Sequence, residues 1–163
     1  DNIYTITGTL IHKYYEITIK KQLDINKLLS NKLSFIYNLF SKIGYQKSEI
    51  NYAIEVVKES LLSLQKSKDG QWIYQLHEDD RMEVNYLHSI ADEDKILIPD
   101  RTFIEDGKRW IIDYKTVFDD KLDLEIEAKT HIEQLQIYES LFDDGYLIQK
   151  AIYFVRQGKL ILI

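Results

Sequence analysis

The spacing of apolar and polar positions divides the chain into a helical first part and a strand-rich second part. Asn2 to Lys20 reads as a helix, with Gly8, His12, Tyr15 and Ile19 along one stripe. Leu23 to Phe40 and Lys47 to Lys66 read as two more helices, separated by Gly44-Tyr45. In the third, Ile50, Ile54, Val57, Leu61 and Leu64 recur at helical spacing, and Ser48 followed by Asn51 marks the expected start. Lys68-Asp69-Gly70 reads as a turn before the short apolar piece Gln71 to Tyr74, and Arg81 to Leu87 as the first sheet strand. Asp92-Glu93-Asp94 is a solvated turn, and His77 and His88, with no motif around them, read as surface residues.

Two apolar stretches then carry charge. Lys95 to Ile104 is expected to be one strand, with Asp100 inside it and Pro99, which cannot donate a ladder hydrogen bond, marking a bulge or an edge. Glu105-Asp106-Gly107-Lys108 is a tight turn, and Asp-Gly is a strong hairpin signal. Trp110 to Thr116 is the second strand. By the period-2 rule Trp110, Ile112 and Tyr114 share one face, and Ile111, Asp113 and Lys115 the other. Taken alone, Asp-x-Lys is most simply an ion pair on a wet sheet face, worth little. The hairpin changes that reading, because it brings Asp100 towards Asp113. Two carboxylates and a lysine on one face are what a metal-dependent phosphodiesterase needs. Carboxylate oxygens hold a hard cation, and the cation acidifies water and neutralises phosphate charge. An ammonium beside it stabilises developing negative charge.

Phe118 to Leu124 reads as an acidic loop, and Leu124 to Phe142 as one helix ending at Asp143-Asp144-Gly145, with Gly145 as its C-cap. Gln134 and Tyr138 share a face of that helix at i, i+4. Ile148 to Val155 and Lys159 to Ile163 are two last strands, the first apolar enough to be central.

Composition narrows the field. At 163 residues the chain suits a single domain. It starts at Asp1 and its only methionine is Met82, so it is expected to be a piece of a longer protein. No apolar run approaches a membrane span, and no membrane partner is expected. There are no cysteines, which excludes disulfides and any iron–sulfur cluster and fits a reducing, cytoplasmic location. A net charge of −6 argues against a free-standing nucleic-acid-binding domain. The objection weakens if an attached module delivers the nucleic acid.

The motifs, in order, resemble a known family. Gly8-Thr9-Leu10-Ile11-His12, then Asp100-Arg101, then Ile112-Asp113-Tyr114-Lys115-Thr116, then Gln134-Leu135-Gln136-Ile137-Tyr138 are similar to the motifs of the RecB/AddA-type PD-(D/E)xK nuclease domain. That domain is fused to the C-terminus of UvrD-like helicases. One departure is Leu97-Ile98-Pro99, where the family often has a glycine two or three residues before the first Asp. The resemblance implies an α/β, restriction-endonuclease-like fold, with a central mixed sheet flanked by helices. It implies a Mg²⁺- or Mn²⁺-dependent deoxyribonuclease, an exonuclease or endonuclease, working with a helicase on DNA in double-strand-break repair and recombination. His12, Asp100 and Asp113, with the Tyr114 backbone carbonyl, would bind the metal, and Glu83 is a possible auxiliary carboxylate. Lys115 would activate or orient water, Gln134 would position it or the phosphate, and Tyr138 would contact the DNA backbone. Gly8 would let its helix approach a neighbouring backbone closely. The alternative is a nuclease fold without activity, serving DNA binding or subunit docking.

Overall fold

The N-terminal helices form because each has one apolar stripe and a polar cap. In the computed structural model, which describes residues 2–163, α1 spans Ile3–Lys21. The Asn2 side chain accepts the Thr5 N–H at 2.9 Å, as an N-cap should. Ile3, Thr7, Ile11, Tyr14, Thr18 and Ile19 make its buried stripe. α2 (Ile25–Ile43) is capped by Asp24 and closed by Gly44, whose φ of 107° suits the left-handed C-cap. α3 (Lys47–Lys66) packs against α1, α2 and the short α4 (Lys68–Tyr74). Tyr15 ties α1 to α3 by donating to the Ser60 carbonyl at 2.6 Å. These helices, with Thr116–Phe118 and Val155–Lys159, make one compact unit. Within it Tyr52 donates to the Phe118 carbonyl at 2.8 Å, and Arg156 donates to Glu59 at 2.8 Å.

The second unit is Leu76–Lys115, Asp119–Phe154 and Leu160–Ile163. Its five-stranded sheet comprises β1 (Glu78–Met82), β4 (Arg101–Glu105), β5 (Lys108–Lys115), β6 (Leu147–Phe154) and β7 (Lys159–Leu162), in the order β1-β4-β5-β6-β7. β5 runs antiparallel to β4 and parallel to β6, so the sheet is mixed. β6 lies inside the sheet between β5 and β7, in keeping with its apolar run, and Ala151 to Phe154 are fully buried. Two short helices, α5 (Leu124–Lys129) and α6 (Ile132–Glu139), lie on the crossover from β5 to β6, and α6 packs on both strands. A separate two-stranded sheet pairs β2 (Tyr86–Ile90) with β3 (Glu93–Leu97). The chain is therefore an α/β protein with a mixed central sheet. No helix among the described residues is long and apolar enough to cross a membrane.

The hairpin turn is where the sequence puts it. Asp106 and Gly107 both have positive φ, 54° and 70°, which matches the twist of the strands it joins. Elsewhere the expected elements break. Lys95–Ile104 is not one strand: β3 and β4 lie in different sheets, split at Ile98-Pro99-Asp100. Pro99 has no N–H for a ladder, and the chain turns there. Arg81–Leu87 is likewise cut into β1 and β2, with Glu83 at a φ of 53° between them. Lys68-Asp69-Gly70 is the first turn of α4, capped by Ser67, which accepts the Gly70 N–H at 2.8 Å. α3 starts from Gln46, not Ser48, and the Glu49 carboxylate takes the Gln46 N–H at 3.2 Å. The long helix expected over 124–142 is α5 and α6, broken at Thr130-His131. There the Thr130 hydroxyl bonds back to the Glu127 carbonyl at 2.7 Å, a local bond that competes with helix continuation. α6 ends at Glu139, so Gly145 is not its C-cap. His77 is not a surface residue either. Its ring is stacked 4.0 Å from Phe103, and its Nδ1 lies 2.7 Å from Glu105.

Candidate functional site

The site is assembled on the β4–β5 hairpin. The register ends with Arg101 paired with Ile112, and continuing it by one residue would bring Asp100 level with Asp113. Both are buried. A carboxylate in that setting must find donors or a cation. Asp100 finds one in the backbone: its Oδ2 accepts the Tyr114 N–H at 2.7 Å. This bond takes the place of a ladder bond beyond the end of β4. A strand residue's N–H and C=O point to the same side, so the Tyr114 carbonyl also faces the Asp100 edge. The Tyr114 side chain is buried and its hydroxyl pKa is raised, first by burial, with the Arg101 guanidinium pulling the other way.

Asp113 is treated differently. Lys115 Nζ sits 2.9 Å from its Oδ2. The same oxygen is sealed from solvent and has no aligned hydrogen-bond donor among the described residues. The contact is ionic, and it leaves acceptor capacity on a buried carboxylate. Lys115 itself is part exposed and can turn towards a ligand. Glu83 joins from the loop after β1. Its N–H donates to the Asp100 carbonyl at 3.1 Å, and its carboxylate comes within 4.8 Å of that of Asp100.

α6 covers this end of the face. The Gln134 amide donates to the Tyr138 hydroxyl at 2.9 Å, and Tyr138 donates to the Ile98 carbonyl at 3.4 Å. Burial pushes the Tyr138 hydroxyl up to about 12, and the charges of Asp113, Asp100 and Glu83 add to the shift. The hydroxyl therefore stays protonated at neutral pH and acts as a donor, not as a base. The Gln–Tyr pair expected from the i, i+4 spacing is thus real and lies beside the carboxylates.

His131 escaped the sequence reading. It caps α6 and lies three residues before Gln134, so His131, Gln134 and Tyr138 follow i, i+3, i+7 along one face. That spacing was the available signal. Burial lowers its pKa, the Lys115 ammonium lowers it further, and Asp113 and Glu127 oppose both. A second missed feature is the buried arginine pair. Arg101 forks onto Asp80 at 3.0 and 2.7 Å, which fixes the start of β4 next to Asp100. Arg109 holds Asp79 at 2.6 Å and Asp144 at 2.8 Å.

In the helical unit His12 is half-buried on α1, one turn after Gly8. A Cβ on Gly8 would meet Thr116 Oγ1 at 4.0 Å, an ordinary contact. Among the described residues, the close backbone approach expected of Gly8 is not found.

The donor set tests what the sheet site suits. Asp100 and Glu83 offer carboxylate oxygens within 4.8 Å of each other, Tyr114 offers a carbonyl, and Asp113 offers a carboxylate in contact with the Lys115 ammonium. Hard divalent cations such as Mg²⁺ and Mn²⁺ take such ligands, so the residues fit. No protein-family model matches the chain, and no curated protein sequence does either.

Proposed function

We propose that the chain is a divalent-metal-dependent deoxyribonuclease with a restriction-endonuclease-like fold, the nuclease part of a helicase–nuclease acting in double-strand-break repair and recombination. The observation that carries the reading is the hold of Asp100, just beyond β4, on the Tyr114 N–H at 2.7 Å, next to Asp113 in β5 with Lys115 at 2.9 Å from it. The order of motifs along the chain supplies the family and the helicase partner.

Asp100, Asp113 and the Tyr114 carbonyl would hold Mg²⁺ or Mn²⁺, with Glu83 as an auxiliary carboxylate. His12 joins them on the strength of the Gly8–His12 motif alone, and an imidazole ligand favours Mn²⁺. When bound, the cation supplies charge neutralisation and acidified water. The remaining work falls to the chain. Lys115, released from Asp113, donates to a phosphate oxygen or orients the attacking water. Gln134, anchored through its amide N–H to Tyr138, keeps its carbonyl to accept from that water. Tyr138, protonated because of its raised pKa, donates to the DNA backbone.

Calorimetric titration with Mn²⁺, for wild type and Asp113→Ala in parallel and again with a short oligonucleotide, tests the site. Binding by wild type that Asp113→Ala abolishes is expected. Absence of binding in both proteins, even with DNA present, would sink the reading. In a Mn²⁺-dependent DNA-cleavage assay Lys115→Ala should lose roughly 10²–10³ in rate, the cost of one transition-state donor. Cleavage at the wild-type rate would remove Lys115 from its role.

A further inference from the structure

The β2–β3 hairpin pairs with no other strand among the described residues. A lone two-stranded sheet is marginal in water unless one face is covered. One face is covered. Tyr86 meets Phe142 edge-on at 5.4 Å between centroids and accepts from Arg81 at 3.0 Å. His88 Nε2 lies 3.2 Å from the Ser140 hydroxyl. The period-2 rule puts Tyr86 and His88 on this face and Leu87 and Ser89 on the other.

The other face is apolar and bare. The register sets Leu87 directly opposite Ile96 and Ser89 opposite Asp94. Leu87 is 74% exposed and Ile96 is 64% exposed. Ile98, two residues on, is exposed as well. A single exposed leucine is ordinary. Two large aliphatic side chains opposed across a ladder, on a sheet with open edges, form a surface that proteins usually cover.

The rim says what covers it. Asp94, opposite Ser89, lies on this face, Asp92 stands at the turn, and Glu93, opposite Ile90, lies at the same end of the hairpin, all exposed. This acidic end repels phosphate and repels a second copy of itself, and it attracts Lys and Arg. We propose that the open edge of this hairpin takes an extended protein segment as a third strand, its alternating aliphatic residues continuing the Leu87–Ile96 face and its flanking basic residues meeting the acidic turn. This surface is independent of the nuclease reading.

Two synthetic heptapeptides test it: alternating lysine and valine, and its glutamate–valine counterpart, each titrated into ¹⁵N-labelled protein. The basic peptide should shift amides within residues 86–97 and leave the rest of the spectrum in place. Leu87→Thr with Ile96→Thr keeps strand propensity while removing the aliphatic contact, and should weaken binding at least roughly tenfold. Asp92→Asn with Glu93→Gln should weaken it about threefold. Retention of the Phe142 ring-current shift on Tyr86 certifies that the hairpin is still folded in each variant. Any one of four results would overturn the proposal: no binding, equal binding of the acidic peptide, undiminished binding by the threonine variant, or displacement of the peptide by an oligothymidine. Self-association in sedimentation that the threonine variant abolishes would also overturn it, by making a second copy the occupant.

Discussion

The two ends of one sheet face handle charge in opposite ways. Arg109, Asp113 and Lys115 alternate along the same side of β5. At the Arg109 end a buried guanidinium is saturated: Asp79 and Asp144 take it at 2.6 and 2.8 Å. At the Asp113 end the carboxylates are held differently. Asp100 leans on a backbone N–H, Asp113 on one mobile ammonium, and Glu83 crowds in. One end is closed and contributes to holding β5 in place. The other brings carboxylates close together around one lysine, a kind of site that a hard cation suits. Burial alone does not make a charged cluster functional. The balance of donors and acceptors does.

Breaking the closed end should have the largest effect. Arg109→Met leaves Asp79 and Asp144 without their shared partner and should cost about 3 kcal/mol in urea unfolding, the low end for a broken buried pair, since both carboxylates can rehydrate. The same variant should change the acid limb of stability. Arg81 and then Arg109 hold the Asp79 carboxyl below its ordinary range. Burial raises that of Asp144, but the Arg109 hydrogen bond and charge outweigh it and the net shift is downward. A carboxylate with a lowered folded pKa stabilises the fold above the ordinary carboxylate range and loses that contribution as pH falls through the lowered value. Thermal melts of Arg109→Met should therefore depend less on pH in the acid range than those of wild type. Equal slopes would mean that Arg109 is not the partner that matters.

The open end should respond with the opposite sign. Asp113→Asn removes one of the crowded charges, and it should raise stability by about 1 kcal/mol while Mn²⁺ binding is lost, the usual exchange at a strained site. A variant that is both less stable and metal-free would mean that the Asp113–Lys115 pair is structural. The smallest effect concerns His131. Its lowered pKa means that the neutral ring is the one the fold favours. Its contribution is complete above the ordinary imidazole value and is lost as pH falls through the lowered one. By NMR titration Lys115→Met should move the His131 midpoint up and Asp113→Asn should move it down. No change in either variant would put His131 away from the site.

The parts of this arrangement that depend on local pattern were legible in the sequence. The Asp106-Gly107 turn and the period-2 alternation of β5 suffice to set Asp100 beside the far end of β5, where it takes the Tyr114 N–H. The helical stripes of α1 to α3 are equally local. What could not be read is what tertiary partners decide. His77 has no local motif, because its stacking partner Phe103 and its ionic partner Glu105 lie in β4. Arg109 reads as an ordinary turn-proximal charge until Asp144 arrives from beyond the crossover. The 124–142 segment reads as one helix, and nothing in its local pattern marks the break at Thr130-His131. Pro99 signalled a disturbance, but not that β3 would leave the main sheet.

The parallel pairing of β5 with β6 has a kinetic consequence. β4 and β5 meet across a two-residue turn, whereas β5 and β6 meet only after residues 116–146 have been closed into a loop. Loop closure costs more as the loop lengthens, and contacts distant in sequence form late. Asp100 and Asp113 are therefore neighbours from the first local step of folding. Gln134 and Tyr138 reach them only when the crossover has docked. Transient opening of that crossover would expose the paired carboxylates without separating them, so amide exchange along β6 should report how often the covering helix lifts.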